Sequence, residues 1–138
     1  MTAPPRPVPP RPQGTPLTAD LAGCPASHPW MTQPQALRQA CLQAVADAGL
    51  QTVGDRFHGF EPAQGHQTAG VTGVVLLAES HLAVHTWPEL GVVTLDVFVC
   101  NLLSDNGDRA QRLLDALVAG FEPAHQSRHT LLRALPEA

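Results

Sequence analysis

The chain has 138 residues, 43% of them apolar and 14% charged, with a formal net charge of −4. That length suits one domain, and the absence of a basic stripe argues against nucleic acid as a partner. No apolar run approaches the ~18 residues of a membrane span and the start lacks the apolar core of a secretory signal, so a cytoplasmic protein is expected.

Residues 1–16, MTAPPRPVPPRPQGTP, contain seven prolines. Proline fixes φ and lacks an N–H, which predicts an extended, disordered leader. LTADLAGC (17–24) alternates loosely and predicts a first strand, and ASHPWMTQP is expected to be a loop. In QPQALRQACLQAVADAGL (33–50), Leu37, Cys41, Val45 and Ala48 recur at helical spacing between Pro34 and Gly49, which predicts an amphipathic helix with its stop signal. QTVGDRFHGF (51–60) follows as a strand and EPAQGHQTAG (61–70) as a turn-rich loop. VTGVVLLAE (71–79), HLAVHTW (81–87) and GVVTLDVFVC (91–100) are three further strands. DNGDRAQRLLDALVAGF (105–121) is a second helix, capped near Asp105 to Asp108, and HQSRHTLLRAL (125–135) is a last strand. The expected fold is α+β: a two-layer α/β sandwich in which a largely antiparallel sheet packs against two helices, forming a single domain over 17–138.

Cys24, Cys41 and Cys100 are odd in number and without paired spacing, so no disulfide framework is expected. Cys41, among Ala, Leu and Val, reads as a small core residue. The low charged fraction leans toward an oligomer that covers part of its apolar surface.

The stretch LLAESHLAVHTWPE (76–89) is out of character for a strand that only fills a core. It carries Glu79, Ser80, His81, His85 and Glu89. Side chains alternate along a strand, so His81, Ala83, His85 and Trp87 share one face and Ser80, Leu82, Val84 and Thr86 the other. Three readings stand side by side. One is a structural edge strand with solvated histidines. Another is a metal site built on His81 and His85 with His58 or His66, but positions i and i+4 on a strand lie ~13 Å apart. The last is covalent chemistry at Ser80.

AESHLAVHTWPE followed by LDVFVC resembles the bacterial and archaeal S-adenosylmethionine decarboxylase family, the pyruvoyl-dependent enzymes of polyamine synthesis. FHGFEP and GVTGVV upstream resemble the same family. The resemblance implies a proenzyme that cleaves itself between Glu79 and Ser80 into 1–79 and 80–138. Ser80 Oγ attacks the preceding carbonyl, the resulting ester is eliminated, and a pyruvoyl group remains at residue 80. His85 matches the family's proton-removing histidine, a role that suits an imidazole with a reference pKa of ~6.5. Thr72 stands where the family carries a serine hydroxyl that assists processing. The pyruvoyl ketone would form a Schiff base with S-adenosylmethionine and accept electrons as CO₂ leaves. Cys100 matches the family's proton donor. Phe60 matches an adenine-stacking aromatic, Glu89 a substrate-contacting carboxylate, and Trp87 is expected to line the same pocket. The resemblance further implies a homodimer of processed protomers, with the site near the interface, and a product that supplies the aminopropyl group of spermidine. It implies no metal.

The sequence departs from the family's pattern in three places. AQGHQTA is inserted between Pro62 and Gly70, near the supposed adenine site. The leader runs into TPLTADLAGC without the family's early Gly-x-His, and Gly59 replaces a larger residue. These departures keep two alternatives open. One retains the cofactor but decarboxylates ornithine or arginine. The other is a processing-dead homologue acting as a binding or regulatory subunit.

Overall fold

A computed structural model describes residues 3–5, 13–100, 106–131 and 133–134. The elements run β1 (Gln13–Ala22), α1 (Pro29–Thr32), α2 (Pro34–Asp47), β2 (Thr52–Gly59), β3 (Val71–Leu77), β4 (Ser80–Trp87), β5 (Val92–Cys100), α3 (Gly107–Phe121), β6 (His125–Thr130) and β7 (Arg133–Ala134). The strands form one antiparallel sheet in the order β2-β3-β4-β5-β1-β6, with the short β7 paired to the start of β1. The helices cover one face: α2 packs over β2 and β3, and α3 over β1 and β5. This is the expected α+β sandwich.

Strand alternation decides what the sheet buries. Leu17, Ala19 and Leu21 of β1, Leu82 and Val84 of β4, and Val93, Leu95, Val97 and Val99 of β5 point under the helices and are buried. Leu37, Cys41, Ala44 and Val45 of α2 meet them, as do Leu113, Leu114, Leu117 and Phe121 of α3. The opposite face carries Val74, Leu76, His81, Ala83, His85, Thr94, Asp96 and Phe98, none fully buried. No helix of the described chain covers that face.

Local chemistry fixes the boundaries. Helix α2 starts with Pro34 in its first turn, where the missing N–H costs nothing. It ends in a Schellman motif: Gly49 N–H donates to Ala46 C=O and Leu50 N–H to Val45 C=O, with Gly49 at φ 80. A bidentate pair from Arg38 to Asp55, 2.7 and 3.1 Å, clamps α2 to β2.

Three boundaries differ from expectation. The segment read as a loop before Pro34 contains α1, whose Trp30 N–H donates to His28 Nδ1 at 3.1 Å. The first strand begins at Gln13, reaching into the proline-rich stretch; most of the expected leader lies outside the described residues. Pro16 is tolerated inside β1 because its missing N–H would face the break between β6 and β7, where Leu131 N–H donates to Pro16 C=O. The last strand is likewise divided into β6 and β7 rather than continuous over 125–135. Among the described residues, no helix is long and apolar enough to cross a membrane.

Candidate active site

Strands β3 and β4 form a hairpin whose pairing runs from Thr72↔His85 at one end to Leu77↔Ser80 at the other. The turn is only Ala78–Glu79, and Glu79 adopts φ 58. A two-residue hairpin prefers type I′ or II′, both of which need positive φ at the first turn residue. Ala78 does not supply it, so this turn matches neither. A non-glycine residue in the left-handed region costs roughly 1–2 kcal/mol. The backbone is therefore strained directly before Ser80.

Ser80 opens β4, and its Oγ accepts a hydrogen bond from Cys100 N–H at 2.9 Å. Cys100 ends β5 and is half-buried. Its carbonyl accepts from Asn106 Nδ2 at 2.9 Å, and Asn106 Oδ1 accepts from Arg109 Nη1 at 3.2 Å. Glu79, Ser80, Cys100, Asn106 and Arg109 line one cleft of about 320 Å³, with Leu50 and Leu77 also in its wall. The other two thiols lie elsewhere. Burial pushes Cys41 up to about 12 and raises Cys24, so both stay protonated and inert.

A second cleft of about 350 Å³ lies at the far end of the hairpin, lined by Phe60, Thr72, His85, Trp87 and Glu89. Thr72 Oγ1 and His85 Nδ1 share a hydrogen bond of 3.1 Å across the two strands. The His85 and Trp87 rings sit 6.0 Å apart, and Phe60 stacks edge-on with His58 at 4.8 Å. Phe60 is 54% exposed, an open ring beside a cleft rather than a core side chain. The segment 61–69 leaves and rejoins the sheet across one bond, Phe60 N–H to Gly70 C=O, and its Glu61, Ala63, His66 and Thr68 wall this cleft.

Thr86 holds the second cleft from below. Its buried hydroxyl accepts from Val71 N–H at 2.8 Å and donates to Met31 C=O at 2.7 Å. It thereby ties α1 and the start of β3 to β4, one residue from both Thr72 and His85. Gly70 belongs to the same contact: a Cβ there would lie 1.9 Å from Thr86 O, so only glycine lets the strands approach.

The predicted residues thus fall into two groups. Glu79, Ser80 and Cys100 come together at the hairpin tip. Thr72, His85, Phe60, Trp87 and Glu89 come together at its base. Five residues at ~3.3 Å each separate Ser80 from His85 by roughly 16 Å within one chain. Asn106, Arg109, Thr86 and His66 also line or brace these clefts; the sequence assigned Asn106 and Arg109 only to a helix start, placed Thr86 on the strand face shared with Ser80, Leu82 and Val84, and offered His66 only as a metal ligand. Among the described residues, no three His, Cys, Asp or Glu side chains converge as metal ligands do.

A family model described as S-adenosylmethionine decarboxylase matches residues 15–134. The S-adenosylmethionine decarboxylase proenzyme of Aquifex aeolicus is 32% identical over 124 residues, covering 90% of this chain and 83% of that protein. The proenzyme of Carboxydothermus hydrogenoformans is 31% identical over 119 residues, 86% of this chain and 87% of that protein. The crystal structure of the adenosylmethionine decarboxylase from Aquifex aeolicus superposes with a TM-score of 0.77 at 31% identity, covering 92% of this chain and 95% of that one.

Proposed function

The chain belongs to the S-adenosylmethionine decarboxylase family, and on that premise we propose that it matures by breaking its own Glu79–Ser80 bond and works as a pair of copies that complete each other's active centre. Its activity is that of an S-adenosylmethionine decarboxylase proenzyme, a carboxy-lyase that supports polyamine synthesis.

The observation that carries the maturation reading is the hairpin tip. A left-handed Glu79 strains the bond before Ser80, and the Ser80 hydroxyl oxygen is already anchored 2.9 Å from Cys100 N. In this reading Ser80 Oγ adds to the Glu79 carbonyl, and the C–N bond breaks as the nitrogen takes a proton. An ester then joins the two segments. A base removes the Ser80 Cα proton, the Cα=Cβ bond forms, and the Cβ–Oγ pair departs with the Glu79 carboxylate. Tautomerisation and water release ammonia and leave the pyruvoyl group at the head of 80–138. That group supplies an electron sink for the electrons freed as CO₂ departs.

The base is His85, but not of the same chain. A proton transfer needs contact near 3 Å, and ~16 Å of strand lies between Ser80 and the His85 five residues on. Two-fold pairing of two sheets, with the axis near Ala83, brings the Ser80 end of one β4 to the His85 end of the other. The uncovered sheet face supports this, because Leu76 is 49% exposed there. In the completed site Cys100 donates the proton that replaces CO₂. Phe60 and Trp87 of the second copy offer flat faces to adenine, and Glu89 of the second copy accepts from ribose hydroxyls. Thr72 orients His85 through their shared hydrogen bond, so threonine serves where the family carries serine.

Mixed expression of Ser80→Ala and His85→Ala chains tests this directly. Neither variant alone should cleave. Together they should, because a mixed pair contains one complete site, and intact mass should find only the His85→Ala chain cut into 1–79 and 80–138. Absence of cleavage in the wild type would sink self-processing. Wild-type cleavage with no complementation would sink the shared site.

A further inference from the structure

Resting on the reading that Glu79–Ser80 cleaves itself, we propose that Arg109 is a catalytic residue of that maturation, its guanidinium receiving the Glu79 carboxylate as the ester is eliminated. Elimination breaks the Cβ–Oγ bond of Ser80 and places the electron pair on the carboxyl group of residue 79. The negative charge therefore develops at the lip of the cleft that Glu79 and Ser80 line. Among the described residues lining that cleft, Arg109 is the one cation. The Glu79 side chain is its one other charge, so the new carboxylate forms beside an existing one. Two like charges in one cleft oppose elimination unless a cation offsets them.

Arg109 is held for this purpose by the site itself. Its Nη1 donates to Asn106 Oδ1 at 3.2 Å, Asn106 Nδ2 donates to Cys100 C=O at 2.9 Å, and Cys100 N–H donates to Ser80 Oγ at 2.9 Å. Three bonds thus tie the guanidinium to the reacting hydroxyl, and Asn106 acts as the positioning residue between them. The ion pairs of the described residues are Arg38–Asp55 and Arg128–Asp115, so no described carboxylate already claims Arg109. A guanidinium stays charged at every working pH and presents a planar fork matched to a carboxylate. Lining the same cleft as the leaving anion, it lowers the elimination barrier while leaving the earlier acyl shift, which produces no carboxylate, largely untouched.

The experiment separates those two steps. Freshly synthesised wild-type, Arg109→Gln, Arg109→Ala and Arg109→Lys chains are quenched over time in denaturant with hydroxylamine, and their masses are recorded. Hydroxylamine cuts the ester but not the amide. It releases an 80–138 fragment beginning with serine, heavier by one ammonia than the pyruvoyl fragment. Arg109→Gln and Arg109→Ala should accumulate ester, with the pyruvoyl fragment forming about 10²-fold more slowly. Arg109→Lys should fall between. Pyruvoyl formation at the wild-type rate would overturn the proposal, and so would stalling as intact amide without trapped ester. Should the wild type itself stay uncut, self-processing fails instead, which keeps the two readings distinguishable. Arg109 is exposed on α3, so its replacement leaves the core intact.

Discussion

Glu79 shows how a single backbone angle bears on chemistry. Among the described non-glycine residues only Glu79 and Glu122 have positive φ, and Glu122 is a helix C-cap, where that conformation is common. At Glu79 the same angle sits in a two-residue hairpin that ordinarily carries glycine or asparagine. In a Ser80→Ala background, where no cleavage intervenes, Glu79→Gly should unfold at higher temperature than Glu79→Ala. The expected gap is about 1 kcal/mol, the left-handed penalty less the extra freedom glycine has when unfolded. With Ser80 present, Glu79→Gly should cleave about 5- to 30-fold more slowly than Glu79→Ala, because the whole left-handed penalty of about 1–2 kcal/mol has gone from the folded ground state. A Glu79→Gly chain less stable than Glu79→Ala would show that the turn stores nothing, since only glycine's unfolded freedom would then remain. That Glu79, Ser80 and Cys100 belong together was legible from the Glu-Ser-His step and the DVFVC strand, and they share one cleft at the tip. The strain was not, since turn geometry follows from pairing register, which the residues flanking Ala78 and Glu79 set only in the folded sheet.

At the scale of elements, the regular parts were readable and the exceptions trace to polar contacts. The stripe of Leu37, Cys41 and Val45 and the stop at Gly49 gave α2 its face and its end. Helix α1 escaped because a histidine, not serine or aspartate, receives its first N–H. Asn106 occupies the N-cap position of α3, yet its amide reaches Cys100 rather than capping the helix. A capping residue diverted to a site cannot be told from an ordinary cap by spacing alone. Thr86 escaped for a similar reason, being a hydroxyl among core-facing aliphatics. Thr86→Val keeps its shape but orphans Val71 N–H and Met31 C=O, both reached by the buried hydroxyl. The expected cost is about 1–3 kcal/mol in chemical denaturation, with slower maturation because Thr72 and His85 lose their fixed register. Thr86→Ser should restore most of both. Maturation at the wild-type rate in Thr86→Val would limit Thr86 to stability.

At the scale of the whole molecule, the sheet has helices on one face and, on the other, a partly exposed face that mixes Val74, Leu76 and Phe98 with His81, His85, Thr94 and Asp96. The strand rise that denies His81 and His85 a common metal also keeps Ser80 from His85, so the proposed division between chains rests on reading 81–87 as a strand. What spacing could not supply was the uncovered face on which the proposed pairing rests, because which face the helices leave open is a property of the assembled sheet. Under the proposed pairing, maturation tracks the fraction of chain that is paired. Leu76 lies on the open face, beside His81 in register and outside both clefts. In a two-fold interface each substitution appears twice. At roughly 2 kcal/mol per buried apolar anchor, Leu76→Asp should weaken association by about 4 kcal/mol, near 10³-fold in Kd. Sedimentation should then find monomers at micromolar concentration, circular dichroism should find an unchanged fold, and cleavage should fall with the monomer fraction. Raising the protein concentration should recover cleavage in this variant, because each chain still carries both half-sites. A monomeric Leu76→Asp chain that cleaves as fast as the wild type would show that one chain suffices, and that the strand bends far enough to bring His85 to Ser80.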